Sequence, residues 1–148
     1  MESILNYRDL FLNDKDKLIK EADRICRSIH GDKVYVRGLI EFSNHCLMNC
    51  DYCGIRRDNS NVHRYRMTPE EIIETALSAF KRGVKTFVLQ GGEDPFFSDD
   101  VLCNIISSIK NQTAGEAALT LSVGIRPKES YKKLKDSGAD RYLCLLYT

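Results

Sequence analysis

Three cysteines fall within eight residues, at Cys46-Leu47-Met48-Asn49-Cys50-Asp51-Tyr52-Cys53, giving the spacing Cys-x3-Cys-x2-Cys. Cysteine thiolates are the usual protein ligands of iron–sulfur clusters, and three on one short loop can each bind a different iron of a [4Fe–4S] cube. One iron is then left without a protein ligand. An open iron can take a substrate or cofactor, which turns an electron-transfer centre into a catalytic one. The competing chemistry is zinc. A structural zinc site wants four closed ligands, and here the fourth would have to come from His45, His63 or a distant cysteine. His45 adjoins Cys46 in the chain and is poorly placed to share one metal with it.

Two further stretches carry candidate binding groups. In Gly91-Gly92-Glu93 the paired glycines let backbone approach a ligand closely, and Glu93 offers an acceptor to an ammonium. Taken alone, Gly-Gly-Glu is also a common turn. Ser122-Val123-Gly124 closes a strand-like segment, where Ser122 taken alone reads as an ordinary strand-end serine. Tyr52 is either a packing residue or a contact to a cofactor beside the cysteines. Arg56, Arg57, Arg64 and Arg66 read as a solvated loop, with paired hydrogen bonds to an anionic substrate as the alternative.

The elements that must position these groups follow from periodicity. Residues 2–30 carry apolar residues at three- and four-residue spacing, broken near Asn13-Asp14 and closed by Gly31, and predict a packing helical segment. Residues 34–42 are rich in β-branched and aromatic residues, which predicts a strand running into the cysteine loop. A polar loop follows, from 54 to 67. Thr68-Pro69-Glu70-Glu71 is a helix start: Thr68 caps, Pro69 suits the first position and Glu71 completes a capping box. Ile72, Ile73, Ala76, Leu77 and Phe80 form that helix's apolar face, and Gly83 ends it. Strands at 85–90, 118–123 and 141–147 alternate with helices at 98–110 and 128–137. The division expected is a helical segment over 1–33, then βα units over 34–148. Strand, loop and helix repeating in this way predict an α/β fold with a parallel sheet. A barrel wall and a doubly wound open sheet share the local pattern.

The chain has 148 residues, 43% of them hydrophobic, and a formal charge of +1 from 22 basic and 21 acidic side chains. A near-neutral total argues against nucleic-acid binding, which needs a basic face to neutralise phosphates. No run approaches the roughly 18 apolar residues of a membrane span, and the N-terminus lacks a basic-then-apolar export layout. The expected location is cytoplasmic. Six cysteines without an export signal favour metal binding over disulfides. Cys26, Cys103 and Cys144 are expected to be ordinary buried thiols.

The cysteine spacing, with Tyr52 before Cys53, resembles that of the radical S-adenosylmethionine (SAM) enzymes. Arg37-Gly38-Leu39-Ile40-Glu41-Phe42-Ser43-Asn44 and Gly54-Ile55-Arg56-Arg57 resemble the iron-iron hydrogenase maturation branch, whose relatives are biotin synthase and methylornithine synthase. The likeness continues through Arg64-Tyr65-Arg66-Met67-Thr68-Pro69-Glu70-Glu71 and Val88-Leu89-Gln90-Gly91-Gly92-Glu93-Asp94-Pro95. It implies a (β/α) barrel, a [4Fe–4S] cluster on Cys46, Cys50 and Cys53, and SAM held on the open iron near Tyr52, Gly91, Gly92, Glu93 and Ser122. The activity implied is reductive cleavage of SAM to a 5′-deoxyadenosyl radical, in maturation of the two-iron hydrogenase site. A biotin-synthase- or methylornithine-synthase-like enzyme and a non-catalytic iron–sulfur-binding fragment are the alternatives. Implied partners are a small-molecule or iron-complex substrate, an electron donor such as ferredoxin or flavodoxin, and other hydrogenase maturation proteins.

Two departures qualify the resemblance. The family usually has glutamate at the position of Ile125, and an acidic residue near Tyr147, where this chain is apolar. An eight-unit barrel takes about 250 residues, so the sequence is expected to supply the first half of one, ending in a truncation or frameshift.

Overall fold

Four strands pair in chain order, every neighbour parallel, and that order settles which of the two parallel architectures the chain forms. In this computed structural model, which describes residues 7–144, they are β1 (Gly38–Ser43), β2 (Thr86–Gly91), β3 (Ala118–Ser122) and β4 (Arg141–Tyr142). Parallel neighbours cannot be joined by a tight turn, so each return is a helical crossover: α3 (Pro69–Lys81), α4 (Asp99–Gln112) and α5 (Lys128–Asp136). A doubly wound sheet reverses its order at a switch point, whereas a barrel wall adds strands sequentially. The order β1-β2-β3-β4 is that of a barrel wall.

Alternation along the strands sets the two faces. Ile40, Phe42, Phe87, Leu89, Leu119 and Leu121 are buried in one core with Ile72, Ala76, Leu102, Ile105, Ile106, Ile109 and Leu134 of the helices. Burying one such aliphatic or aromatic side chain contributes about 1.5–3 kcal/mol, so this sheet–helix layer is the principal source of cohesion. The opposite phase of β1, Leu39 and Glu41, is exposed, and Val88, Gln90 and Ser122 are half-buried. β1 departs from regularity once. Glu41 opposes Gln90 but Ser43 opposes Gly91, so a bulge at Phe42 turns both Phe42 and Ser43 to the buried side.

The helix boundaries follow the caps. Thr68 Oγ1 accepts from the Glu71 amide at 3.2 Å, and the Glu71 carboxylate accepts from the Thr68 amide at 2.7 Å, completing the expected capping box before α3. Ser98 caps α4 through the Val101 amide. Asp140, just before β4, ties α4 to β3: its carboxylate accepts from Lys110 Nζ on α4 and the Leu119 amide on β3, each at 2.7 Å.

The chain divides between Tyr35 and Val36 into two compact units. The first contains α1 (Tyr7–Asn13) and α2 (Lys15–His30), separated at Asp14, whose carboxylate caps α2 by accepting from the Lys17 amide at 3.0 Å. Gly31, at φ +65°, closes α2 as the sequence predicts.

Within the first unit, α1 and α2 form the helices expected; Leu10, Leu18 and Ile25 are half-buried, while Tyr7, Phe11, Leu12, Ile19 and Ile29 are exposed. Several expectations are corrected. β1 begins at Gly38 rather than at 34, because Val34, Tyr35 and Val36 have no ladder partner and stay exposed. β-propensity forms a strand only where pairing and burial reward it. Cys26 is exposed, while Cys103 and Cys144 are half-buried, so none of the three is the buried thiol expected. Of the strand predicted over 141–147, Arg141–Tyr142 is strand, and residues 145–147 lie outside the described residues.

Thr68→Ala should destabilise the chain by about 1 kcal/mol through loss of the cap, read as a lower denaturant midpoint with unchanged transition slope.

Candidate metal centre

In a parallel βα unit the loops that follow the strands share one rim, and the three chemically suggestive segments all lie there, after β1, β2 and β3. They enclose a cavity of about 190 Å³. Cys46, Cys50, Cys53, Tyr52, Gly91, Gly92, Glu93 and Ser122 all line it. Sequence reasoning missed Gln90, Gly124, Leu143 and Cys144 as wall residues, along with Met48 and Ile55 of the cysteine loop. Gln90 had a usable signal, since it pairs in register with Ser122 and shares the phase opposite to Leu89.

The cysteine loop is shaped by backbone-directed side chains. The Arg64 guanidinium donates to four carbonyls: Ile55 at 2.8 Å, Arg56 at 2.7 Å, Asn59 at 3.1 Å, and Asn44. Asn49 and Asp58 exchange hydrogen bonds across the loop, and the Arg57 amide donates to Met48 O. The Leu47 amide donates to Glu93 O at 3.0 Å, which fastens the loop to the turn after β2. Two amides, of Met48 and Glu93, donate to Cys46 Sγ at 3.4 Å. Hydrogen bonds to the ligating sulfurs are one of the means by which a protein tunes a bound cluster.

Gly92 is sterically required here. A Cβ on it would stand 2.2 Å from His45 O and 2.7 Å from Cys46 Cβ, so any side chain pushes the cysteine loop away. Gly124 meets a second limit: at φ +79°, its added Cβ would overlap Glu93 Cγ at 1.9 Å. The Glu93 side chain lies over Gly124 and accepts from the Ile125 amide at 2.8 Å, joining the rim after β2 to the rim after β3. Tyr52 and Ile125, both largely exposed, stand on the cavity wall.

Asp94 holds the frame. Its carboxylate is buried and accepts from Ser43 Oγ at 2.7 Å, Arg66 Nε at 2.6 Å, Arg66 Nη2 at 3.0 Å and the Phe96 amide at 3.1 Å. Burial pushes the Asp94 carboxyl up, but the hydrogen bonds from Arg66 and Ser43 outweigh it and hold the group below the ordinary carboxylate range. An anion clamp built from the loop arginines is overturned for Arg64 and Arg66, whose guanidinium groups are committed to carbonyls and to Asp94. Arg57 pairs with Asp58, and Arg56 reaches Cys53 O.

Among the described residues no three His, Cys, Asp or Glu side chains are arranged to hold one metal ion. Ligands to different irons of a cube have no need to converge on a point. Three cysteines free of disulfides, on one cavity and with amides turned toward Cys46 Sγ, fit that donor set.

Comparison with known proteins decides the family. The model of the Radical SAM superfamily matches residues 40–146. The chain belongs to the radical SAM superfamily. It is 53% identical over 137 residues to the [FeFe] hydrogenase maturase subunit HydE of Thermotoga maritima, a match covering 90% of this chain and 38% of that one. It is 32% identical over 146 residues to biotin synthase of Staphylococcus aureus, covering 95% and 43%. Among solved structures, methylornithine synthase (PylB) superposes with a TM-score of 0.79 at 23% identity, over 93% of this chain and 42% of that one, a likeness of fold. The [FeFe]-hydrogenase maturase HydG superposes with a TM-score of 0.67 at 27% identity, over 87% and 30%. This radical SAM chain therefore spans less than half the length of these relatives. No helix among its described residues is long and apolar enough to cross a membrane.

Because the folded Asp94 carboxyl titrates below its ordinary 3.8, its contribution is complete above about pH 4 and is lost as pH falls through the lower folded value. Asp94→Asn should therefore flatten the acid limb of stability, measured by denaturant titration from neutral pH downward. Arg66→Ala should cost about 2 kcal/mol at neutral pH, as a charged hydrogen-bond donor to a buried carboxylate is removed.

Proposed function

We propose that this chain binds a [4Fe–4S] cluster through Cys46, Cys50 and Cys53 and uses it to cleave SAM reductively, in maturation of an iron-iron hydrogenase. The observation that carries the reading is the meeting of that cysteine triad with Gly91-Gly92-Glu93 and Ser122 on one rim cavity. The 53% identity to the HydE maturase supports the hydrogenase branch. When bound, a reduced cluster and SAM supply one-electron cleavage of the sulfonium to methionine and a 5′-deoxyadenosyl radical.

The chain's own residues bind and position. Gly92 brings backbone beside the cysteine loop, where it can approach the methionine end of SAM without a side chain intervening. Glu93 keeps one carboxylate oxygen on the Ile125 amide, which leaves the other for an ammonium. Ser122 and Gln90 supply hydrogen-bonding side chains from the strand ends, and Tyr52 an aromatic face for the cofactor. Met48, Ile55 and Ile125 make the remaining wall apolar and limit water at the site. A small molecule or iron complex is the proposed substrate, ferredoxin or flavodoxin the electron donor, and other hydrogenase maturation proteins the partners. Cytoplasmic reducing conditions suit cysteines that must remain thiolates. A second reading, a biotin-synthase-like reaction, draws on the 32% identity to that enzyme.

Anaerobic reconstitution with iron and sulfide should give a brown protein that forms 5′-deoxyadenosine from SAM and dithionite. Cys50→Ala should abolish both colour and product. A brown protein that makes no 5′-deoxyadenosine would leave a cluster-binding chain without this catalysis.

A further inference from the structure

One peptide group at the rim is held from both ends. Between Gly124 and Ile125, the Gly124 carbonyl accepts from the Tyr142 hydroxyl at 2.7 Å, and the Ile125 amide donates to Glu93 Oε1 at 2.8 Å. We propose that Tyr142 is a positioning residue, whose hydroxyl orients this peptide so that its N–H sets the Glu93 carboxylate for the ammonium of SAM. This rests on the SAM reading proposed above and adds to it a residue that does not itself line the rim cavity.

The planarity of the peptide bond transmits the effect. Carbonyl and N–H of one trans peptide point in opposite directions within one plane, so fixing the oxygen fixes the line of the N–H. Gly124, at φ +79°, lets that plane stand where a side chain would strain it. Its orientation is then set by its hydrogen-bond partners, and Tyr142 is the partner on the carbonyl side.

Strand register places the hydroxyl. Tyr142 pairs with Leu121 and shares its phase, so the ring lies on the helix side of the sheet, edge-on against Tyr131 of α5 with ring centroids 4.7 Å apart. The Leu143 amide donates to Leu121 O at 2.8 Å and fixes the backbone just beyond. Burial pushes the Tyr142 phenol up from its ordinary value, so it keeps the proton that a donor to a carbonyl needs. The following peptide is held by the other ring, since the Arg126 amide donates to the Tyr131 hydroxyl at 3.1 Å. The Arg126 guanidinium donates in turn to Asp99 at 2.8 Å and to Phe97 O at 2.9 Å. The turn that carries the Ile125 amide is thus braced on both sides, and the Glu93 carboxylate takes its direction from that turn.

The test is equilibrium binding without reductant, so that no turnover occurs. Wild type, Tyr142→Phe, Glu93→Ala and the double variant are reconstituted anaerobically with iron and sulfide. Dissociation constants for SAM and for 5′-methylthioadenosine are then measured by equilibrium dialysis. Methylthioadenosine keeps the nucleoside and the sulfur of SAM but lacks the amino-acid end. Positioning through Glu93 predicts that Tyr142→Phe weakens SAM binding about fivefold, the net contribution of one neutral hydrogen bond, and leaves methylthioadenosine unchanged. In the Glu93→Ala background Tyr142→Phe should have no further effect on SAM, because the two residues act as one unit. Unchanged SAM affinity, equal loss for both ligands, or the same loss without Glu93 would each overturn the assignment while leaving the SAM reading in place. Loss of fold in Tyr142→Phe by circular dichroism would also overturn it, by making the hydroxyl a structural bond. Failure of wild type to bind SAM would overturn the proposed function itself.

Discussion

The rim of this molecule depends on one buried carboxylate. Asp94 gathers donors from the end of β1 (Ser43), from the far end of the long loop (Arg66) and from its own turn (Phe96). The cysteine loop leaves β1 at Asn44 and returns at Arg66, so both of its ends are fixed around Asp94. A buried charge is costly unless paired and fully hydrogen-bonded, and Asp94 meets that condition only when all three segments are in place. Arg66 also lies over the Phe96 ring at 5.7 Å, and Phe96 packs on Phe97, which packs on Phe42. The polar anchor is thereby continuous with the hydrophobic layer beneath it.

Work is divided between that layer and the rim. Cohesion comes from Ile, Leu and Phe side chains between sheet and helices, none of which carries chemistry. The groups that can hold metal or cofactor sit in loops beyond the strand ends, where their identity is little constrained by packing. Relatives with different names, a hydrogenase maturase and a biotin synthase, match this same wall of strands and helices.

What the sequence made legible was local. The cysteine spacing, the βα alternation and the Thr68 capping box each depend on neighbours within a few residues, so residue types alone expose them, whereas the contact that requires Gly92 is with His45 and Cys46, far away in the chain. The Arg66–Asp94 pair joins positions 28 apart, and Arg64 spends its guanidinium on carbonyls of a loop whose path no periodicity describes. An arginine in a polar loop looks the same in sequence whether solvated, holding a substrate or bracing backbone. Val34-Tyr35-Val36 misled in the opposite direction, since its β-propensity finds no neighbouring strand. Leu143 and Cys144 stayed hidden as lining residues because the Leu143–Leu121 pairing that brings them to the rim joins distant positions.

The bulge at Phe42 makes β1 a ruler. Side chains on a strand alternate by count, so one extra residue opposite a single step of β2 sets which way everything after it points. The interval from Ile40 to Cys46 is thus constrained in length as strictly as in composition. When such sequences are aligned, a one-residue gap in this interval means more than an unfavourable substitution: it turns Ser43 from Asp94 and re-aims the first cysteine.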